Sequence, residues 1–260
     1  MAEPVVKEAQ KRVGGASVAW ITLFGALTGV TALVPIFPYV GGGGYVPLLV
    51  PFAALAPLLL GPVGGITSSI VGGGIGMFLA PAAFPLGVVD VFVTAVVPAI
   101  YTALTVNNDR YWKLNLLAMA IGGGIGLLVP YYIPGPAAGF ERPATIVYPA
   151  LSAIYWLPSL LIIASPLGRR FIPEWSRSDN ARMRYLGILI AYLASLWVWW
   201  NPWTRPYWYL QKFPLALGIA TCIGYSWWIP TLAVVITAIT IPILEALKRS
   251  GLPKIDMALW

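Results

Sequence analysis

Asp90 is the acid whose neighbours make chemistry conceivable, since Val88, Val89, Val91 and Phe92 surround it. A carboxylate in an apolar run costs about 2.5–3.5 kcal/mol at the centre of a membrane helix, and less near the interface. Two readings fit it. One is a ligand contact or cation site facing a water-filled cavity. The other is a helix N-cap satisfying free amides. The second chemically suggestive segment is Trp197–Phe213, which holds Trp197, Trp199, Trp200, Trp203, Tyr207, Trp208, Tyr209 and Phe213. Such a run reads as an aromatic belt at headgroup level. It also reads as a stacking surface for a flat or cationic ligand, with Trp203 or Trp208 as the wall. Arg205, inside the run, suits an anionic headgroup or substrate.

The parts an enzyme needs are missing. The chain has no histidine and one cysteine, Cys222, so an internal disulfide is impossible and the commonest transition-metal ligands are nearly absent. No two acids share an apolar stretch. Ser68 and Ser69 have no base visible in sequence, and the glycine clusters lack the Gly-Lys-Ser/Thr tail of a phosphate loop. A non-enzymatic protein without metal or cofactor is expected. Cys222 reads as a small packing residue.

These residues sit on apolar elements. Hydrophobic residues make up 59% of the 260-residue chain and charged residues 10%, against about 25% charged in ordinary soluble domains. One helical crossing needs roughly 20 apolar residues. Eight stretches qualify or nearly so: Ala16–Val34, Val46–Leu60, Ile66–Ala80, Val88–Leu104, Leu114–Ile133, Ile146–Ala164, Tyr185–Trp200 and Ser226–Leu247. The predicted fold is an all-α, polytopic membrane helix bundle forming one domain over 1–260. It has an N-terminal segment at 1–15, a basic loop at 165–184 and an aromatic outer loop at 201–213. Phe213–Tyr225 is apolar and reads as a re-entrant piece or an outward extension of the last helix.

Eight crossings put both termini on one side. That side collects 13 of the 16 Lys and Arg residues, leaving only Arg142, Arg205 and Lys212 on the other. The positive-inside bias places both termini in the cytoplasm of a cell-membrane protein. The net charge of +7 follows from this asymmetry and implies no nucleic-acid partner. The N-terminal charges, with no short apolar core and cleavage site after them, do not read as a removable signal peptide. In the basic loop, the arginine excess fits anionic lipids or a partner surface. Glu245 is expected to pair with Lys248 or Arg249 along its own helix. Glu141 and Arg142 share an outer loop as a pair or as solvated charges.

Glycine and proline are abundant, at 27 and 24 residues. Pro35, Pro81, Pro130 and Pro202 fall at the outer ends of outward-going stretches, where a proline stops a helix at the residue before it. The run Gly72-Gly73-Gly74-Ile75-Gly76 recurs as Gly122-Gly123-Gly124-Ile125-Gly126. Small residues of this kind pack helices closely. They would also leave room for a ligand against bare backbone. The spacing of one helical hairpin allows a repeat of two-helix units or simple convergence on a packing sequence.

The stretch Leu23–Leu79 resembles the membrane-embedded substrate-capture (S) subunits of energy-coupling factor vitamin transporters. It consists of a small-residue helix (LFGALTGVTALVPIFP), a glycine-rich outer loop running into YVPLLVPFAALAPLLLGPVGG, and a Gly/Ser-rich helix (ITSSIVGGGIGMFLA). The resemblance implies a loop, Gly41, Gly42, Gly43, Gly44 and Tyr45, that closes over a vitamin-like substrate. It implies that Gly25 and Gly29 lie on a face docking to a transmembrane coupling subunit, which in turn engages cytoplasmic ATPases. Family members usually have six spans, and the metal-uptake members use an N-terminal histidine that is absent here. The expected function is therefore a transport subunit binding a small organic molecule from the outer side. The other expectation is a structural subunit that packs against partners and lipid. A capture subunit needs a cavity under the first outer loop, whereas a scaffold needs its glycine faces filled by helices.

Overall fold

The computed structural model describes residues 11–39 and 43–260. The chain is an all-α bundle with two minimal antiparallel hairpins. β1 (Arg12–Val13) and β2 (Ala16–Ser17) precede α1 (Val18–Val30), and Ser17 caps α1 by accepting from the Trp20 amide at 3.2 Å. A 3₁₀ turn at Thr31–Leu33 leads into β3 (Pro35–Pro38), which pairs with β4 (Tyr45–Pro47). Then come α2 (Leu49–Leu79), α3 (Val88–Val106) and α4 (Asn108–Leu128). They are followed by α5 (Val147–Ile154), α6 (Leu157–Ala164), α7 (Ile172–Ser176) and α8 (Ala181–Trp203). The chain closes with α9 (Arg205–Leu210), α10 (Leu215–Gly224) and α11 (Trp228–Arg249).

The helical run α2 is not one rod. Gly61 has φ 70° and ψ 169°, a conformation closed to most L side chains, and Pro62 follows it. The chain turns back there. The Ser69 hydroxyl donates to the Ala53 carbonyl at 3.3 Å, sixteen residues away, and a Cβ on Gly65 would stand 2.4 Å from Pro57 Cα. In a continuous helix residues 53 and 69 would be about 24 Å apart. The stretches Val46–Leu60 and Ile66–Ala80 are thus antiparallel limbs of one hairpin.

Small residues weld α1 to the second limb. A Cβ on Gly25 would meet Val71 at 2.9 Å, and one on Gly29 would meet Ile75 at 2.6 Å. Ser68 donates to the Ile21 carbonyl at 3.1 Å. Contacts run forward together (21 with 68, 25 with 71, 29 with 75), so the two helices are parallel. Both glycine clusters use one pattern. Gly72, Gly73 and Gly76 face Thr28, Ala95 and Ala32, while Gly122, Gly123 and Gly126 face Tyr101, Trp156 and Pro202. The middle glycines, Gly74 and Gly124, have nothing within 4 Å. Helical geometry puts i, i+1 and i+4 on one side and i+2 on the other. The clusters are packing surfaces.

The chain reverses between α3 and α4 around three fully buried asparagines. Asn107 donates to the Ala103 carbonyl, Asn108 to the Ile163 carbonyl, and Asn115 to Asn108. Helix α8 is the central post and touches α3, α4, α6, α7 and α11. It runs antiparallel to α11. Arg184 pairs with Glu245 at one end, and the Trp200 and Trp228 rings stack at 5.2 Å at the other. Because α8 finishes and α11 starts at the same end, α10 does not traverse the bundle. Phe213–Tyr225 is a separate short helix there, not an extension of α11.

Among the described residues, five helical runs are long and apolar enough to cross a membrane, with Leu49–Leu79 counted whole, and six if the 42° bent pair α5–α6 is one span. The expected first stretch, Ala16–Val34, is only 13 residues of α-helix plus the 3₁₀ turn. The seventh runs past Trp200, as helix Ala181–Leu210. The basic segment 165–184 is largely helical rather than loop. Pro35, Pro81 and Pro130 do follow helix ends, whereas Pro202 lies inside the last turn of α8. Large apolar side chains face outward along the bundle, among them Leu23 and Leu27 on α1, Ile70 and Phe78 on α2, and Val235 and Ile239 on α11. Water would penalise such faces, but lipid tails do not.

Candidate functional site

One cavity gathers the chemically suggestive residues. Asp90, Val93 and Thr94 of α3 line it, together with Trp199, Trp200, Trp203, Thr204, Tyr207 and Trp208 from the end of α8 and from α9. Tyr39 and Val46 of the β3–β4 hairpin roof it, and Phe213, Thr221 and Tyr225 close the far wall. The space open to water centres is about 40 Å³, enough for a few waters, since one needs roughly 10–15 Å³ on this measure. A vitamin-sized molecule fits only if the aromatic walls part.

The α3 wall is built by a local irregularity. Val91–Val96 follows a π-helical path, and Pro98 comes just after it. In that register the donor to the Val93 carbonyl would be residue 98, and proline has no N–H. The carbonyl instead accepts from Trp199 Nε1 at 2.6 Å, across to α8. Thr94 donates to the Asp90 carbonyl at 2.5 Å. Asp90 itself is buried and accepts from the Leu86 amide through Oδ2. Asp90 is therefore not the N-cap, which is Gly87; it sits in the first turn of α3, reaches back to the Leu86 amide and lines the cavity.

The aromatic run turns inward. Trp199, Trp200 and Trp208 are each no more than 5% exposed, so these three form no belt at the headgroups, while Trp197, Trp203 and Tyr207 are half-buried and Tyr209 is exposed. The segment 201–213 is helical as far as Leu210 rather than a loop. Trp203 is half-buried and donates to the Tyr101 hydroxyl at 2.8 Å, which donates in turn to the Ala118 carbonyl at 2.6 Å. Trp208 lies against Phe213 and carries the Arg205 guanidinium 3.6 Å from its ring centre.

Of the loop expected as a lid, three residues are described. Gly41 and Gly42 lie outside the described residues. Gly43 adopts φ 79°, and a Cβ there would be 3.8 Å from the Tyr207 hydroxyl. Gly44 presses on Tyr39 and Ala82, leaving no room for a side chain. Tyr45 turns away from the cavity, and its hydroxyl donates to the Ala32 carbonyl at 3.1 Å. Tyr39 takes the roof position instead, with its ring 5.0 Å from that of Tyr207. Sequence reasoning missed Tyr39 because nothing in its neighbourhood separates it from Tyr45. Gly25 and Gly29 are filled by the chain's own α2, so no docking face is left on them.

No protein-family model matches this chain, and no curated protein or solved structure does either.

At the opposite end, four charges tie α8 to α11. Arg184, almost fully buried, pairs with Glu245 and lies 3.7 Å from Asp179, which accepts from Lys248 at 2.5 Å. Glu245 thus pairs across helices, not along its own. The Lys248 hydrogen bond and charge hold the Asp179 carboxyl below its ordinary range. Arg177 donates to the Val106 carbonyl and to Asn107, sealing the α3–α4 turn. Glu141 and Arg142 are both exposed. Among the described residues no group of His, Cys, Asp and Glu is placed to hold a metal.

Proposed function

We propose that this chain is a non-enzymatic membrane subunit that captures a small organic molecule from the outer side and relies on separate coupling and ATPase subunits to move it. The observation that supports this is the convergence of Asp90, Trp203 and Trp208 on one cavity roofed by the first hairpin. The lining suits such a ligand, being aromatic for flat apolar faces and carrying a few polar groups for orientation.

The same reading gives the topology. With the hairpin turn at Gly61, the crossings are α1, the two limbs of α2, α3, α4, the bent pair α5–α6, α8 and α11. These eight place both termini on the side of Arg184 and Lys248, which the positive charge marks as cytoplasmic. The cavity then opens outward in a cell membrane.

The filled faces of Gly25 and Gly29 favour a second reading, a structural subunit embedded among partner proteins. Purification of the tagged protein in mild detergent, with mass spectrometry of all that accompanies it, separates the two. A retained small molecule, or co-purifying ATPases with a coupling protein, supports capture. A stable assembly of other membrane subunits and no small ligand sinks it.

A further inference from the structure

Arg205 is fully buried beside the cavity, and no acid neutralises it among the described residues. Its Nη2 donates to Asn201 Oδ1 and lies 3.9 Å from Cys222 Sγ. Among the described residues its Nε and Nη1 make no hydrogen bond of ordinary geometry. Those two nitrogens carry three of the five N–H donors of a guanidinium. Around it stand the Trp208 ring at 3.6 Å and the Tyr148 ring at 5.3 Å. The rings attract the cation but accept none of its in-plane hydrogen bonds. The Tyr131 and Tyr148 hydroxyls donate to the backbone, at Pro214 and Gly126, and Tyr148 keeps lone pairs for the guanidinium, but neither hydroxyl supplies the missing negative charge. A buried charge left this way costs several kcal/mol, and such groups are ordinarily paired.

We propose that Arg205 recognises an oxyanion, a carboxylate or phosphate group on the bound molecule, which enters from the cavity past Trp208. The inference rests on the capture reading and deepens it by naming the charge of the ligand. The physical case is complementarity. Trp208 belongs to both places, lining the cavity and carrying the guanidinium. An oxyanion on either edge would accept from one of the two unpartnered nitrogens and cancel the charge. The aromatic lining would cover the rest of the ligand.

The test uses the full-length protein in neutral detergent micelles with sodium benzoate, inorganic phosphate and benzyl alcohol as probes. Melting temperature and tryptophan fluorescence are recorded. Benzoate is expected to raise the melting temperature by roughly 5 °C or more near saturation. It should also perturb the fluorescence of Trp208, while the isosteric alcohol does neither. R205M should lose the benzoate response while melting no lower than wild type without ligand, because an apolar side chain of similar length removes an unpaired buried charge. If R205M gives no folded protein, R205K serves, with a response weakened at least tenfold.

A response kept in full by the variant overturns the proposal. So does the absence of any response to benzoate, phosphate and added phosphatidylglycerol alike. If benzyl alcohol alone changes the fluorescence, the anion site falls and the capture reading survives for a neutral molecule. If only added phosphatidylglycerol stabilises the protein, and only with Arg205 present, the oxyanion is a lipid headgroup. The anion site then stands and the capture reading falls.

Discussion

Trp199 Nε1 bonds the backbone carbonyl of Val93 at 2.6 Å, tying the α3 wall of the cavity to the central helix. It exists because Pro98 leaves that carbonyl without a donor. Replacing Trp199 with Phe keeps most of the packing but orphans the carbonyl. The expected loss is about 1–3 kcal/mol, read as a lowered melting temperature in detergent. The double variant W199F/P98A supplies a backbone N–H again and should recover part of that loss. Equal melting points for the single and double variants would refute the account.

Glycine position, rather than glycine number, should govern stability. G29V places carbon against Ile75 and the Gly72 carbonyl, where a Cβ would already stand 2.6 Å and 3.0 Å away, and should cost about 1–3 kcal/mol or more. G74A and G124A enter open space on the outward face. Each should be neutral or stabilise by up to about 1 kcal/mol, since alanine is the better helix former. Parallel melting curves of the three variants check this.

Breaking the tie between α8 and α11 should be asymmetric. E245Q leaves the nearly buried Arg184 with only Asp179 at 3.7 Å for charge. A loss of roughly 1–3 kcal/mol is expected, read from melting curves. R184M, which removes the buried charge itself, should cost less than E245Q. The reverse order would show that the pair is worth more than the desolvation it demands.

The tie also predicts a pH dependence. Lys248 holds the folded Asp179 carboxyl below its unfolded value, so its contribution is fully present above the ordinary carboxylate range. It is lost as pH falls through the lowered folded value. Melting points taken from neutral pH down into the acid range should fall more steeply for wild type than for D179N. The effect is small, because Asp179 is highly exposed and screened by solvent.

At the cavity, D90A removes the acceptor for the Leu86 amide and should cost about 1–3 kcal/mol, as loss of a hydrogen bond to a charged group does. Tyr39→Ala opens the roof without touching that bond. In the capture reading it should speed the release of any co-purified molecule while leaving the melting temperature nearly unchanged. Release can be followed by mass spectrometry after timed dilution.

The sequence alone determined what composition and periodicity control. Long apolar runs fix helices, proline fixes where three of them stop, and two glycine clusters on a helical period fix close packing. It singled out Asp90, Trp203 and Trp208, because an acid among valines and a dense aromatic run are visible one residue at a time. Three things only the tertiary structure decided. The reversal expected between Leu60 and Ile66 pivots at Gly61, which depends on one backbone torsion that a Gly-Pro pair permits but does not demand. Gly25 and Gly29 face the chain's own second limb, since a bare helix surface does not say which helix will cover it. Tyr39 roofs the cavity while Tyr45 turns away, and Arg205 is buried without an acid, because strand register and helix rotation, not residue type, set which side chains meet.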